Sequence, residues 1–92
     1  GLVPDEFSLS QNYPNPFNPS TSIEFSINEL SNVSLDIYTI TGELVGSLIS
    51  GKEFSSGTYK VSFDASNLSS GIYLYSLRAG NNILTRKMTL LK

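Results

Sequence analysis

The chain has 92 residues, 39% hydrophobic and 15% charged, with a net charge of −2; this suits one small folded domain and is too apolar for intrinsic disorder. It contains no cysteine, histidine or tryptophan, which excludes disulfides, thiolate chemistry, Cys- or His-based metal sites and the commonest general base. No apolar run reaches the length of a membrane-spanning helix and no signal peptide opens the chain, so Gly1-Leu2 reads as the cut edge of something longer.

Residues 1–12 read as a lead-in from an upstream linker. Three of the four prolines then fall within Tyr13-Pro14-Asn15-Pro16-Phe17-Asn18-Pro19. Each proline fixes φ near −65° and pushes the residue before it out of the helical region, so residues 13–19 form a stiff, extended collar. Asn15 and Asn18 have short amides suited to bonding nearby backbone. Tyr13 and Phe17 are two aromatic anchors, expected to staple the collar to a folded body.

Beyond the collar the apolar residues alternate with period two, the mark of half-buried strands. Ile23, Phe25 and Ile27 face inward in the first run, and Val33, Leu35 and Ile37 in the second. Thr41-Gly42-Glu43 turns the chain into residues 44–49, where alternation is poor and Gly46 suggests a bulge. Ser50-Gly51 and Ser55-Ser56-Gly57 punctuate the middle. Tyr59, Val61 and Phe63 mark a fourth strand, and Tyr73, Tyr75 and Leu77 a fifth. Ala79-Gly80-Asn81-Asn82 is a hairpin signal leading to a last strand, residues 83–91, with Leu84, Met88 and Leu90 inward. Arg86 shares that parity, which calls for a bulge or a snorkelling stem. The expected fold is all-β: residues 13–92 as an antiparallel sandwich of about seven strands, of the immunoglobulin or fibronectin III kind.

Charge divides along the chain. Residues 1–64 hold all eight acids and two lysines, giving −6, whereas residues 65–92 hold Arg78, Arg86, Lys87 and Lys92, giving +4. Such a cationic end either protects an edge strand from aggregation or is offered to a receptor. The net charge gives no reason to expect nucleic-acid binding. Glu24 and Asp36 lie on outward faces of strands expected to be neighbours, but among serines nothing desolvates them for acid–base work. Asp64 and Asn67 are too few donors for calcium, and no phosphate loop is present. Neither enzyme chemistry nor a cofactor is expected.

Several segments together resemble the C-terminal sorting domains of type IX secretion. These are the YPNPFNP opening followed by Ser20, the run Ile37-Tyr38-Thr39-Ile40-Thr41-Gly42-Glu43-Leu44-Val45, the stretch Gly57–Asp64, and Leu68-Ser69-Ser70-Gly71-Ile72-Tyr73, with Arg86-Lys87-Met88 before a short apolar end. Thr39 and Glu43 replace that family's usual Asp and Arg, removing a plausible turn pair. The resemblance implies a non-catalytic signal that directs an attached upstream cargo through the outer-membrane translocon. It further implies periplasmic transit, a cell-surface or extracellular destination, and a sortase-like peptidase as possible partner. Lys87, Met88, Leu90, Leu91 and Lys92 are the candidate recognition residues, with a free, mobile Lys92 and the terminal strand edge available for docking. Tyr13, Pro14, Asn15, Pro16, Phe17, Asn18, Pro19, Gly42, Asp64, Gly71 and Tyr73 are expected to serve the fold of a monomer. The rival reading is a structural or carbohydrate-binding accessory module of an extracellular polysaccharide-degrading enzyme.

Overall fold

A computed structural model describes residues 6–92. Seven strands are present among them: β1 (Ser8–Leu9), β2 (Ser20–Ile27), β3 (Ser31–Thr39), β4 (Leu44–Phe54), β5 (Gly57–Asp64), β6 (Gly71–Ala79) and β7 (Asn82–Leu90). They form two antiparallel sheets, ordered β1-β2-β5 and β4-β3-β6-β7. This is the expected sandwich. The fourth strand joins the sheet of the third rather than that of the second and fifth, as in the fibronectin III relatives of the immunoglobulin architecture.

Period two dictates which face each strand buries. Ile23, Phe25 and Ile27 of β2 and Val33, Leu35 and Ile37 of β3 are wholly buried, as are Tyr75 and Leu77 of β6. Phe63 is buried and Tyr59 and Val61 pack at the margin, where Phe25 and Tyr59 stack and Phe54 meets both edge to face. Burying each such aliphatic or aromatic side chain stabilises by roughly 1.5–3 kcal/mol, so these rows hold the two sheets together.

Strand β4 departs from the simple pattern. From Tyr38↔Leu44 to Val33↔Lys52, five steps on β3 are matched by eight on β4, with irregularities at three places. Each irregularity inserts a residue and reverses the alternation, which is why the sequence there looks unpatterned. The strand also continues through Ser50-Gly51, where a break was expected.

Gly42 adopts φ +96° in the β3–β4 turn, a conformation other residues rarely take. With Arg absent from that turn, Thr39 organises it: its hydroxyl accepts from Glu43 N at 3.0 Å, and Glu43 O accepts from Thr39 N at 2.8 Å. Gly80, at φ +60°, is the first of two loop residues joining β6 to β7, the arrangement of a type II′ hairpin. The expected neighbourhood of Glu24 and Asp36 does not exist. β2 and β3 lie in different sheets, Glu24 faces Lys60 on β5, and Asp36 accepts a hydrogen bond from Ser47 on β4 at 2.6 Å.

Candidate recognition surface at the terminal strand

β7 pairs with β6 in unbroken register from Gly71↔Leu90 to Ala79↔Asn82, so no bulge intervenes at Arg86. Its side chains therefore alternate strictly, and the parity splits the candidate residues. Lys87 points outward and is exposed, while Met88 and Leu90 are entirely buried in the core. Leu91 is exposed just past the strand. In the folded domain Lys87, Leu91 and Lys92 are accessible from outside, whereas Met88 and Leu90 are not. The free, mobile Lys92 expected from sequence is also corrected: its backbone N–H donates to Ser70 Oγ at 2.9 Å and its Nζ to Ser66 O at 2.7 Å.

The edge of β7 is largely occupied as well. Phe17 N donates to Thr89 O at 2.9 Å, Leu91 N donates to Phe17 O at 3.0 Å, and Thr89 N donates to Asn15 Oδ1 at 3.0 Å. Gln11 Nε2 donates to Lys87 O at 2.7 Å. Arg86 extends across the sandwich margin and its Nε donates to Leu9 O at 2.5 Å, which answers its inward parity without burying its charge. Since addition of a partner strand needs unpaired backbone groups, docking along the edge from Lys87 to Leu91 is closed in the folded state.

The collar thus packs onto the body through Phe17, which is buried and lies 6.2 Å from the Phe63 ring. Tyr13 is no anchor. It is 82% exposed and held only by its backbone, which bonds Ser22 in both directions at 2.9 Å. Pro16 and Asn18 are exposed, while Pro19 O accepts from Ala65 N at 2.8 Å. Pro14 O is the acceptor at a buried polar node. Asn12 Nδ2 donates to it at 3.1 Å and to Thr21 Oγ1 at 3.0 Å, and Thr21 Oγ1 itself donates to Pro14 O at 2.9 Å. Tyr75 Oη accepts from Asn12 N at 2.8 Å and donates to Ser10 O at 2.7 Å. Asn12 and Thr21 were not anticipated, because polar residues leave no mark in a hydrophobic pattern. The one available signal was their placement beside a stiff segment with carbonyls to satisfy. Residues 8–12, expected to be linker, are part of the sandwich; residues 1–5 of that lead-in lie outside the described residues.

The remaining motif residues sit at the same end. Tyr73 Oη donates to Ser69 O at 2.6 Å, pinning the loop before β6 in the manner of a tyrosine corner. Gly71 opens β6 opposite Leu90. Asp64 accepts from Ser66 N and Oγ, and these bonds hold its carboxyl below the usual range, with the Lys92 charge contributing less.

This motif set, from a collar packed beside the last strand to a Gly-Ile-Tyr corner, coincides with a family match. The model of the secretion system C-terminal sorting domain matches residues 11–90. The chain belongs to that family. Neither curated proteins nor solved structures provide a match. The sorting domain is therefore a non-catalytic type IX secretion signal that targets an attached cargo for secretion or surface attachment, and it is recognised by the secretion machinery. The match contains Lys87, Met88 and Leu90 and stops before Leu91 and Lys92.

Proposed function

We propose that the signal is the folded sandwich itself, carried through the periplasm as a compact unit and read at its cationic terminal end. Lys87, Leu91 and Lys92 supply the direct contacts. Met88 and Leu90 contribute by locking β7 in register. The observation that supports this most is the strict alternation of β7, which leaves Lys87 exposed between side chains committed to the core. Arg78, Arg86 and Lys92 add positive charge with no acid after residue 64, so an acidic receptor surface is drawn towards this end. Removal of the domain by a sortase-like peptidase belongs to the same reading, since a carrier that has delivered its cargo is dispensable.

The test is export of a reporter fused ahead of residues 1–92 in a cell with type IX machinery. Lys87→Glu, or deletion of Leu91-Lys92, is expected to abolish export. Lys87→Glu changes stability by no more than about 0.5 kcal/mol, as for other exposed positions. Normal export of the Lys87→Glu fusion shows that Lys87 only protects an edge.

A further inference from the structure

The two outer faces of the sandwich differ in kind. On the β1-β2-β5 sheet, the outward residues of the paired strands are Ser20, Ser22, Glu24 and Ser26 opposite Asp64, Ser62, Lys60 and Thr58, all polar, with the exposed Tyr13 beside Ser22. On the four-stranded sheet, register sets Ser47, Asp36, Ser76 and Thr85 in one row across four strands. That row satisfies itself: Ser47 donates to Asp36 at 2.6 Å and Thr85 to Ser76 at 3.3 Å. Two residues along, the equivalent row is Leu44, Tyr38, Leu74 and Lys87. Cross-strand partners point to the same side of a sheet, so these four side chains form a line spanning roughly 14 Å at ~4.8 Å per strand. Ile72, opposite Thr89, extends the line into a patch, and the exposed Ile40 follows β3 at the same end. Leu44 is 58% exposed, Ile40 60%, Ile72 45%, and Leu91 beyond the end of β7 is 60% exposed.

Resting on the reading of this chain as a sorting signal, we infer that the apolar half of this outer face is the docking surface for the secretion machinery. The occupant is a protein surface of apolar side chains carrying a carboxylate at its rim, to meet Lys87. The choice of face follows from what the others lack. The edge of β7 is covered by residues 11–17 from Lys87 to Leu91, Met88 and Leu90 are buried, and the opposite outer face is polar but for the isolated ring of Tyr13, which makes no apolar row. The choice of occupant follows from charge and area. Lys87 closes the apolar row on the side of the chain that carries no acid. The patch spans on the order of a few hundred Å², below the roughly 800 Å² per partner of a stable interface, which suits transient docking better than a permanent dimer. An anchor of this type works by burying the central apolar side chains while the rim charge fixes orientation.

The reporter fusion tests this with Leu44→Lys and Ile72→Lys, which place a charge in the patch, and with Thr85→Lys in the polar row as control. Export is expected to fall by about tenfold or more for the first two, the scale of one lost interface anchor, and to stay unchanged for the third. The thermal midpoint of each purified variant establishes that it is folded; if Leu44→Lys unfolds, Leu44→Ser removes the apolar area without adding charge. Full export of folded patch variants overturns the inference while leaving the sorting reading intact. Failure of the unaltered fusion to be exported overturns the sorting reading and this inference with it. An unaltered chain that sediments as a dimer and becomes monomeric on Leu44→Lys assigns the face to a second copy, which also overturns it.

Discussion

Tyr75 shows how much one side chain can join in a small sandwich. Its ring lies wholly inside the core, and its hydroxyl links β6 to the segment after β1 through Ser10 O and Asn12 N. Burial raises the phenol pKa above its ordinary value; the Asn12 N–H and the Arg86 charge pull the other way but do not prevail. An acid whose folded-state pKa is raised contributes stability that is fully present below the unfolded value of about 10 and lost as pH rises through the folded value. Tyr75→Phe should therefore cost about 1–3 kcal/mol near neutrality, because Ser10 O and Asn12 N lose their partner. The gap between the two proteins should narrow above about pH 10, as the native tyrosine loses its own advantage. Thermal unfolding across that range measures it, and a gap that stays constant would place the alkaline transition on some other group.

At the scale of elements, the collar and β7 behave as one edge. Phe17 is buried while Tyr13 is largely in water, although both are aromatic and only four residues apart. Phe17→Ala should cost about 3–5 kcal/mol and release amide protection at Leu91, whose N–H bonds Phe17 O. Tyr13→Ala should change stability by no more than about 0.5 kcal/mol. Equal losses from the two, read by denaturant unfolding and amide exchange, would show that the collar docks through both rings. Strands β2, β3 and β6 were legible in the sequence because each turns one face to the core and one to water or the rim. β4 was legible as a run over 44–49 with a bulge near Gly46, but its facing and its continuation past Ser50 were not, because three bulges scramble its alternation; β1 was not, because two residues cannot display a period. At the terminal strand, the inward parity of Met88 and Leu90 was readable from sequence, but a recognition role requires a residue to be reachable. The covering of the β7 edge was hidden, since it depends on where Gln11, Asn15 and Phe17 arrive in space.

For the whole molecule, the expected consequence is that the described lead-in, residues 6–12, is not dispensable. Leu9 is buried in the core, Phe7 packs against it, and β1 hydrogen-bonds to β2 at one open side of the sandwich. The same segment carries the acceptor for Arg86, the donor to Lys87 O and the buried Asn12 node, so it ties the end of the second sheet to the first. Without it, Leu9 takes its apolar contacts away, Thr21 and Tyr75 lose buried partners, and β7 is left with an exposed edge along Arg86 and Lys87. Loss of one buried leucine contributes about 2–5 kcal/mol, and each orphaned buried polar group about 1–3 kcal/mol. Those losses rival the whole stability of a domain this size, about 5–15 kcal/mol. Deleting residues 1–12 is therefore expected to leave the chain largely unfolded, or to lower its thermal midpoint by more than about 10 °C, at 4–8 °C per kcal/mol for a domain of this length. Deleting residues 1–5 alone gives the reference for the loss of the segment that precedes these contacts. A 13–92 fragment that melts with the full chain would return residues 6–12 to the status of linker and leave the collar to hold the terminal strand unaided.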